Sequence, residues 1–348
     1  MAHSFRRPFG VDAAGVPVEL LTLDNGLLSC DILTFGATLR ALSVPTRDGS
    51  RTDVVLGYDT LEEYRARDGY FGAMVGRYAN RIAQGRFSLG DQTYRLAVNN
   101  GPNHLHGGIV GFSHQTWTVE ELAQDRAVLS LFSPDGQEGY PGNLRVHVTY
   151  QLEGYALSIR WQAQSDRDTV CNLTNHSYFN LAGHASGPVL DQELQLFASH
   201  YTPSDQTGIP TGAVEPVAGT PMDLRHMTPL GASIDVSFPQ LLQGHGYDHN
   251  YVIDGPNGQL RPAAKAYAPK TGVTMEVDTT LPGIQLYTAN YLDEGRPGKD
   301  GASYGPRHAF CLETQFYPDT PNHPDFPSAF LPAGEVMDHT TQFRFSVR

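Results

Sequence analysis

The sequence predicts an all-β fold, a large antiparallel β-sandwich with few short helices, on three observations. Glycine and proline are abundant, 36 and 24 of 348 residues, and aromatic residues make up 10%, a mixture that suits many short strands joined by tight turns. From Trp117 to Ser165 strand-like runs recur at short, regular spacing, as in a meandering antiparallel sheet. Convincing helix signals are few. No internal repeat and no linker with a composition shift interrupts the chain, so one domain over residues 1–348 is expected. That length buries a core without disulfides or a structural metal and favours two packed sheets over a small barrel.

Taken in order, Val18 to Leu23 reads as a strand, Asp24-Asn25-Gly26 as a hairpin turn, and Leu27 to Thr34 as the returning strand. Thr38 to Val44 is another strand, closed by Pro45 to Ser50. Thr60-Leu61-Glu62-Glu63 has the form of a capping box and predicts a short helix ending before Gly69. Arg86 to Leu89 and Thr93 to Leu96 should pair across Gly90-Asp91. Asn99 to Gly111 reads as a turn-rich loop. In the meander, breaks fall at Gln124-Asp125, Ser133 to Asn143 and Glu153-Gly154. Thr174 to Leu181 reads as a strand carrying polar and aromatic groups, with His176 and Tyr178 facing one way and Asn175 and Ser177 the other. Glu193 to Phe197 follows as a strand, then an irregular Pro-, Gly- and Thr-rich segment from Thr202 to Leu224. Gly244 to Asn250 reads as a loop holding Asp248. Strands are expected at Val252-Ile253, Ala264 to Tyr267, Val273 to Val277 and Phe310 to Phe316, and a last one at Gln342 to Val347. Gly283 to Thr288 contains Gln285, and Gly298 to Gly305 reads as a loop.

A formal net charge of −13 argues against nucleic acid and anionic membrane surfaces as partners, but not against a neutral small molecule. Cys30, Cys171 and Cys311 are odd in number and far apart, which fits reduced thiols in a cytoplasm. No apolar run follows Arg6 and Arg7, so no signal peptide is expected, and no stretch has the length of a membrane span.

Side chains suited to chemistry are spread along the chain: Asn80, Arg81, His106, His176, Tyr178, Asp248, Gln285 and Glu313. Most have an ordinary structural reading as turn, solvent or core residues. Glu313 stands apart, because it lies inside the apolar run Phe310 to Phe316, and a buried carboxylate is rare unless paired or used. An imidazole, a phenol and amides turned inward from Thr174 to Leu181 need polar partners, which a hydroxyl-rich ligand supplies. A metal site is a rival reading, since His104 and His106 have H-x-H spacing and could join His176 and Glu313. Asn172-Leu173-Thr174 and Asn175-His176-Ser177 are formal glycosylation sequons, read as chance inside a strand.

Seven stretches occur together: Gly76 to Ile82 (GRYANRI), Asn103 to Gly108 with its LHGG end, and Ser133 to Gly142 (SPDGQEGYPG), then Thr174 to Leu181 (TNHSYFNL), Gly246 to Tyr251 (GYDHNY), Pro282 to Asn290, and Cys311 to Pro318 (CLETQFYP). In this order, and over nearly the whole chain, the sequence resembles the aldose 1-epimerases, or galactose mutarotases. One departure is Val336 after the Gly-Glu pair, where similar proteins usually carry an aromatic; it lies outside the motifs expected to touch sugar.

The resemblance implies a β-sandwich of the galactose-mutarotase type with an open sugar cleft, and interconversion of the α and β anomers of free aldohexoses such as galactose and glucose. It implies Glu313 as catalytic base and His176 as catalytic acid, with Asn80, Arg81, His106, Tyr178, Asp248 and Gln285 contacting the sugar. No cofactor and no metal are implied, because ring opening and closure need only proton transfers. One group must be ionised while the other is protonated, and nearby carboxylates can raise the histidine pKa. A cytoplasmic monomer or homodimer is expected. The alternatives are a non-catalytic carbohydrate-binding protein and an epimerase acting on a modified or phosphorylated hexose; a phosphate should need a basic cluster.

Overall fold

The computed structural model describes residues 5–66, 69–292 and 297–348. Three larger antiparallel sheets dominate it. A nine-stranded sheet runs, in spatial order, Thr118–Leu122, Arg126–Ser133, Leu144–Glu153, Ala156–Ser165, Val336–Val347, Val273–Thr279, Arg261–Tyr267, Glu193–Leu196 and Thr228–Pro229. A six-stranded sheet runs Tyr178–Phe179, Phe310–Gln315, Gly283–Tyr287, Asp248–Val252, His200–Thr202 and Glu215–Pro216. The N-terminal strands Phe5–Val11, Pro17–Asp24, Ser29–Leu33, Thr38–Pro45 and Arg51–Asp53 form a five-stranded sheet. No helix among the described residues is long and apolar enough to cross a membrane.

The sandwich core follows from strand alternation. In Arg126–Ser133 and Leu144–Glu153, every second residue is buried: Ala127, Leu129 and Leu131, then Leu144, Val146, Val148, Tyr150 and Leu152. Opposite them the six-stranded sheet turns Leu312 and Thr314 inward, lining one small internal gap with Ile159, Trp161, Thr341 and Phe343. Phe179 meets Phe343 across that seam at a ring separation of 5.2 Å. Because side chains alternate, Cys311 and Glu313 must then point to the other face of the six-stranded sheet.

Several elements depart from the sequence reading. Thr174 to Leu181 is not one strand. Thr174–Asn175 pairs with Met74–Val75, and Tyr178–Phe179 pairs with Phe310 and Cys311, so His176 sits at a break between two pairings. Its backbone is held instead by the 72–73 turn: His176 N–H donates to the Ala73 carbonyl (2.8 Å) and Gly72 N–H to the His176 carbonyl (2.9 Å). Asp248 starts a strand, Asp248–Val252, and does not lie in a loop. The last strand starts at Val336, earlier than Gln342, because its polar first half still pairs with Ala156–Ser165. A helix, Pro239–Gly244, has its proline in the first turn and His245 in the left-handed conformation at its end, and the sequence reading missed it. The capping box does form: Thr60 N–H donates to Glu63 Oε2 (3.0 Å), and Glu63 N–H to Thr60 Oγ1 (3.4 Å), ahead of the helix Leu61–Ala66. Both sequon asparagines, Asn172 and Asn175, are buried.

Candidate active site

Sheet register builds the floor of the site. Asp248 pairs with Tyr287, Tyr287 with Cys311, and Cys311 with Tyr178, giving one row of side chains across four strands. Asn250, Gln285 and Glu313 form the adjacent row on the same face. The face opens into a cavity of about 590 Å³ whose walls include Asn80, Arg81, His106, His176, Tyr178, Asp248 and Glu313. Seven of the eight residues singled out from the sequence therefore meet at one place.

Gln285, the eighth, lies one step behind the wall. Its Nε2 donates to Asp248 Oδ1 (2.7 Å), and its Oε1 accepts from Gln315 Nε2 (3.2 Å). This chain of amides fixes the Asp248 carboxylate from below.

Asn80 and His106 hold each other. His106 N–H donates to the Asn80 carbonyl (3.0 Å), and Asn80 N–H donates to His106 Nδ1 (3.1 Å). Both residues have positive φ, 61° and 50°, without being glycine, a costly backbone that such reciprocal bonds can sustain. Since a backbone N–H only donates, Nδ1 of His106 is an acceptor and the ring proton resides on Nε2. Arg81 is anchored by its Nε to Asn100 Oδ1 (3.0 Å). Gly208, at φ +80°, lets the guanidinium lie against its backbone: a Cβ there would come within 2.9 Å of it.

His176 and Glu313 are the closest acid–base pair in the cavity wall: His176 Nε2 is 3.6 Å from Glu313 Oε2, and the side chains are 5% and 3% exposed. Glu313 Oε2 has no hydrogen-bond partner. Burial pushes the Glu313 pKa well above the usual carboxylate range, the Asp248 charge adds to this, and Arg81 opposes it. Burial lowers His176 to about 4, and Asp248 offsets only part of that. A neighbouring carboxylate does act to raise the histidine, as expected, but desolvation outweighs it. His106 is held well below the imidazole range by burial, then by His176 and Arg81.

His104 does not join the site. Its Nδ1 bonds the Ala97 carbonyl (2.7 Å) and its Nε2 the Tyr140 hydroxyl (2.6 Å). The H-x-H pair thus splits between core and cleft. His106, His176 and Glu313 do place ligand atoms within 4.8 Å of one another, but the ring proton on His106 Nε2 leaves that nitrogen no lone pair for a metal.

The cavity also uses residues the sequence did not single out: Tyr70, Asn100, Gln206, Gln243, Tyr287 and Tyr291. Tyr287 was open to discovery, since it lies two residues after Gln285 and so shares its face. The others come from loops and the short helix, where no periodicity marks an inward side.

The sequence matches the family model for aldose 1-epimerase over residues 19–344. The chain belongs to the aldose 1-epimerase family. It is an isomerase of that class. It is 46% identical to the galactose mutarotase of Homo sapiens over 348 residues, covering 100% of both chains. It is 35% identical to the aldose 1-epimerase of Escherichia coli K12 over 335 residues, covering 95% of this chain and 96% of the other. Among solved structures, an aldose epimerase homologue from C. elegans superposes with a TM-score of 0.87 at 30% identity, covering 94% of this chain and 98% of that one. A galactose 1-epimerase from Lactobacillus acidophilus superposes at 0.88 and 28% identity, covering 100% and 99%. The all-β, antiparallel architecture expected from the sequence is thus that of the aldose 1-epimerases.

Proposed function

We propose that this protein interconverts the α and β anomers of free aldohexoses such as galactose and glucose, with Glu313 as base and His176 as acid. The observation that carries the residue roles is their placement: one carboxylate and one imidazole, 3.6 Å apart, on the wall of a cavity lined by hydrogen-bonding groups. Glu313 takes the proton of the C1 hydroxyl. The C1–O5 bond breaks as C1 becomes a carbonyl, and its electron pair takes a proton from His176 at O5. Rotation about C1–C2 presents the other carbonyl face, and reversal of both transfers closes the ring. Neither oxidation nor group transfer occurs, so no cofactor is needed.

The reaction needs one proton on the pair. Burial raises the affinity of Glu313 for a proton and lowers that of His176, so the empty site favours the neutral arrangement with the proton on Glu313. A bound sugar reverses this preference, because its C1 hydroxyl donates to the carboxylate and O5 accepts from the imidazolium. His106 is a fixed donor through Nε2–H, its Nδ1 being occupied by Asn80 N–H, and does not share the acid role. Arg81 and Asp248 hold hydroxyls through charge-assisted hydrogen bonds. Gln285 supports Asp248.

Arg81 is the sole Lys or Arg among the described residues of the cavity wall, which favours neutral sugars over hexose phosphates. The buried acid–base pair favours catalysis over sugar binding alone. Polarimetry on freshly dissolved α-D-galactose and α-D-glucose tests the proposal: the approach to equilibrium rotation should accelerate in proportion to enzyme. Sugar binding without acceleration would establish a binding protein instead. The net charge of −13 and three buried free cysteines support a cytoplasmic protein with no nucleic acid partner.

A further inference from the structure

The His176 ring has more around it than Glu313. Tyr178 stacks on it at a centroid separation of 5.0 Å and 19°. Tyr70 lies nearly parallel as well, at 5.9 Å and 22°, so two tyrosine rings pack against the imidazole. Tyr70 also leans on His106, with centroids 4.7 Å apart, so one aromatic ring touches both His106 and His176. The backbone at Tyr70 has φ +53°, a conformation in which a bulky residue is unusual. The turn that carries it is tied to His176 itself: Ala73 N–H donates to the Tyr70 carbonyl (3.0 Å), and residues 72 and 73 exchange hydrogen bonds with the His176 backbone.

We infer that Tyr70 is a positioning residue for the reaction, whose ring completes an aromatic clamp on His176 and holds its imidazole between Glu313 and the ring oxygen of the sugar. The inference rests on His176 acting as the acid. A planar cation packed against two tyrosine rings within about 6 Å gains cation–π attraction that a neutral ring does not. The clamp therefore favours the imidazolium when sugar binds, and it fixes the ring plane so that Nε2 keeps its direction. The groups that face the imidazole from the packed elements are Glu313 and Cys311 from one strand, Tyr287 from the next, Asp248 from the strand beyond it, Tyr178, and His106 from the loop. None of these replaces a ring on the Tyr70 side.

Three variants separate ring, hydroxyl and packing. Tyr70→Phe keeps the ring and should hold kcat within about twofold. Tyr70→Leu keeps apolar bulk without a π face, and Tyr70→Gly removes the side chain where glycine takes φ +53° without strain. Both should lower kcat by about tenfold, the size of one lost cation–π contact, with KM moving less. In sugar-free protein, NMR titration of the His176 ring should show protonation at lower pH in the Leu variant, which keeps the imidazole covered, with melting temperatures confirming that the variants fold. A Leu variant with wild-type kcat and an unchanged His176 titration overturns the inference, as does a Phe variant as slow as Gly. If the wild-type protein fails to accelerate mutarotation, the assigned reaction falls, while the sugar-free titration still decides whether Tyr70 clamps His176.

Discussion

Burial does opposite things to the two groups proposed to share the reacting proton. Glu313 is raised and His176 lowered to about 4, so the pair holds one proton over a wide range of pH. Below about 4 the pair gains a second proton and loses its base. Above the raised Glu313 pKa it loses the last proton and with it the acid. For the free enzyme, kcat/KM should therefore rise through an acidic limb near pH 4, stay level, and fall on the alkaline side. An acidic limb near 6.5 would show His176 titrating as an ordinary exposed imidazole and would refute the burial argument. Removing either group should be costly: Glu313→Gln and His176→Asn should each cut kcat by roughly 10²-fold or more, measured by polarimetry on protein whose melting temperature is unchanged. Near-normal turnover in either variant would overturn the roles given to that residue.

Elements carry the site through register and through loops with little slack. Gly107 has φ +86°, and a Cβ there would fall 1.8 Å from the Gly76 carbonyl oxygen. Gly107→Ala should displace the loop next to His106, lowering both the melting temperature and kcat, the latter by about tenfold or more. A variant with native melting and turnover would show that the loop has room to spare. Glycine at this position belongs to the LHGG stretch, and its need for a positive φ explains why that motif was legible. The apolar alternation of residues 117–165 was legible for the same kind of reason: period-2 burial writes itself into the sequence. The polar elements were not. Asp248–Val252 begins with Asp-His-Asn, residues that read as a turn, yet its polar face lines a cavity and need not avoid the strand. The break at His176 was hidden because its partners, Gly72 and Ala73, lie a hundred residues earlier in the chain. The helix Pro239–Gly244 had a readable signal, proline in the first turn and glycine at the end, but at six residues it shows too little periodicity to stand out.

At the scale of the whole molecule, the histidines buried for packing and catalysis tie stability to pH. His249 and His339 are each lowered to about 4 by burial, as His176 is, and His104 and His106 are lowered too. An unfolded chain protonates these rings near 6.5. Between about 4 and 6.5 the unfolded state thus binds more protons than the folded one, so stability falls as pH is lowered through that window. Glu313 and Asp319, both raised by burial, work in the other direction, since their folded forms hold protons that the unfolded forms release. The histidines outnumber them. Relief of the −13 net charge toward the sequence pI of 5.4 also opposes the trend, but repulsion among exposed charges is screened by salt whereas burial is not. In buffers of 0.3 M ionic strength, chosen to mute that repulsion, the melting temperature should fall steadily from pH 6.5 to 4.5. His339 provides the control, because it lies far from the cavity chemistry, packed by Trp161 at 4.9 Å and Phe316 at 5.4 Å with its Nδ1 3.0 Å from Thr280 Oγ1. His339→Asn keeps a polar atom for Thr280 but cannot titrate, so it should flatten part of the slope while leaving mutarotation at pH 7 intact. A slope identical to that of the wild type would mean that His339 protonates equally in both states, and that its site admits water freely enough to solvate an imidazolium.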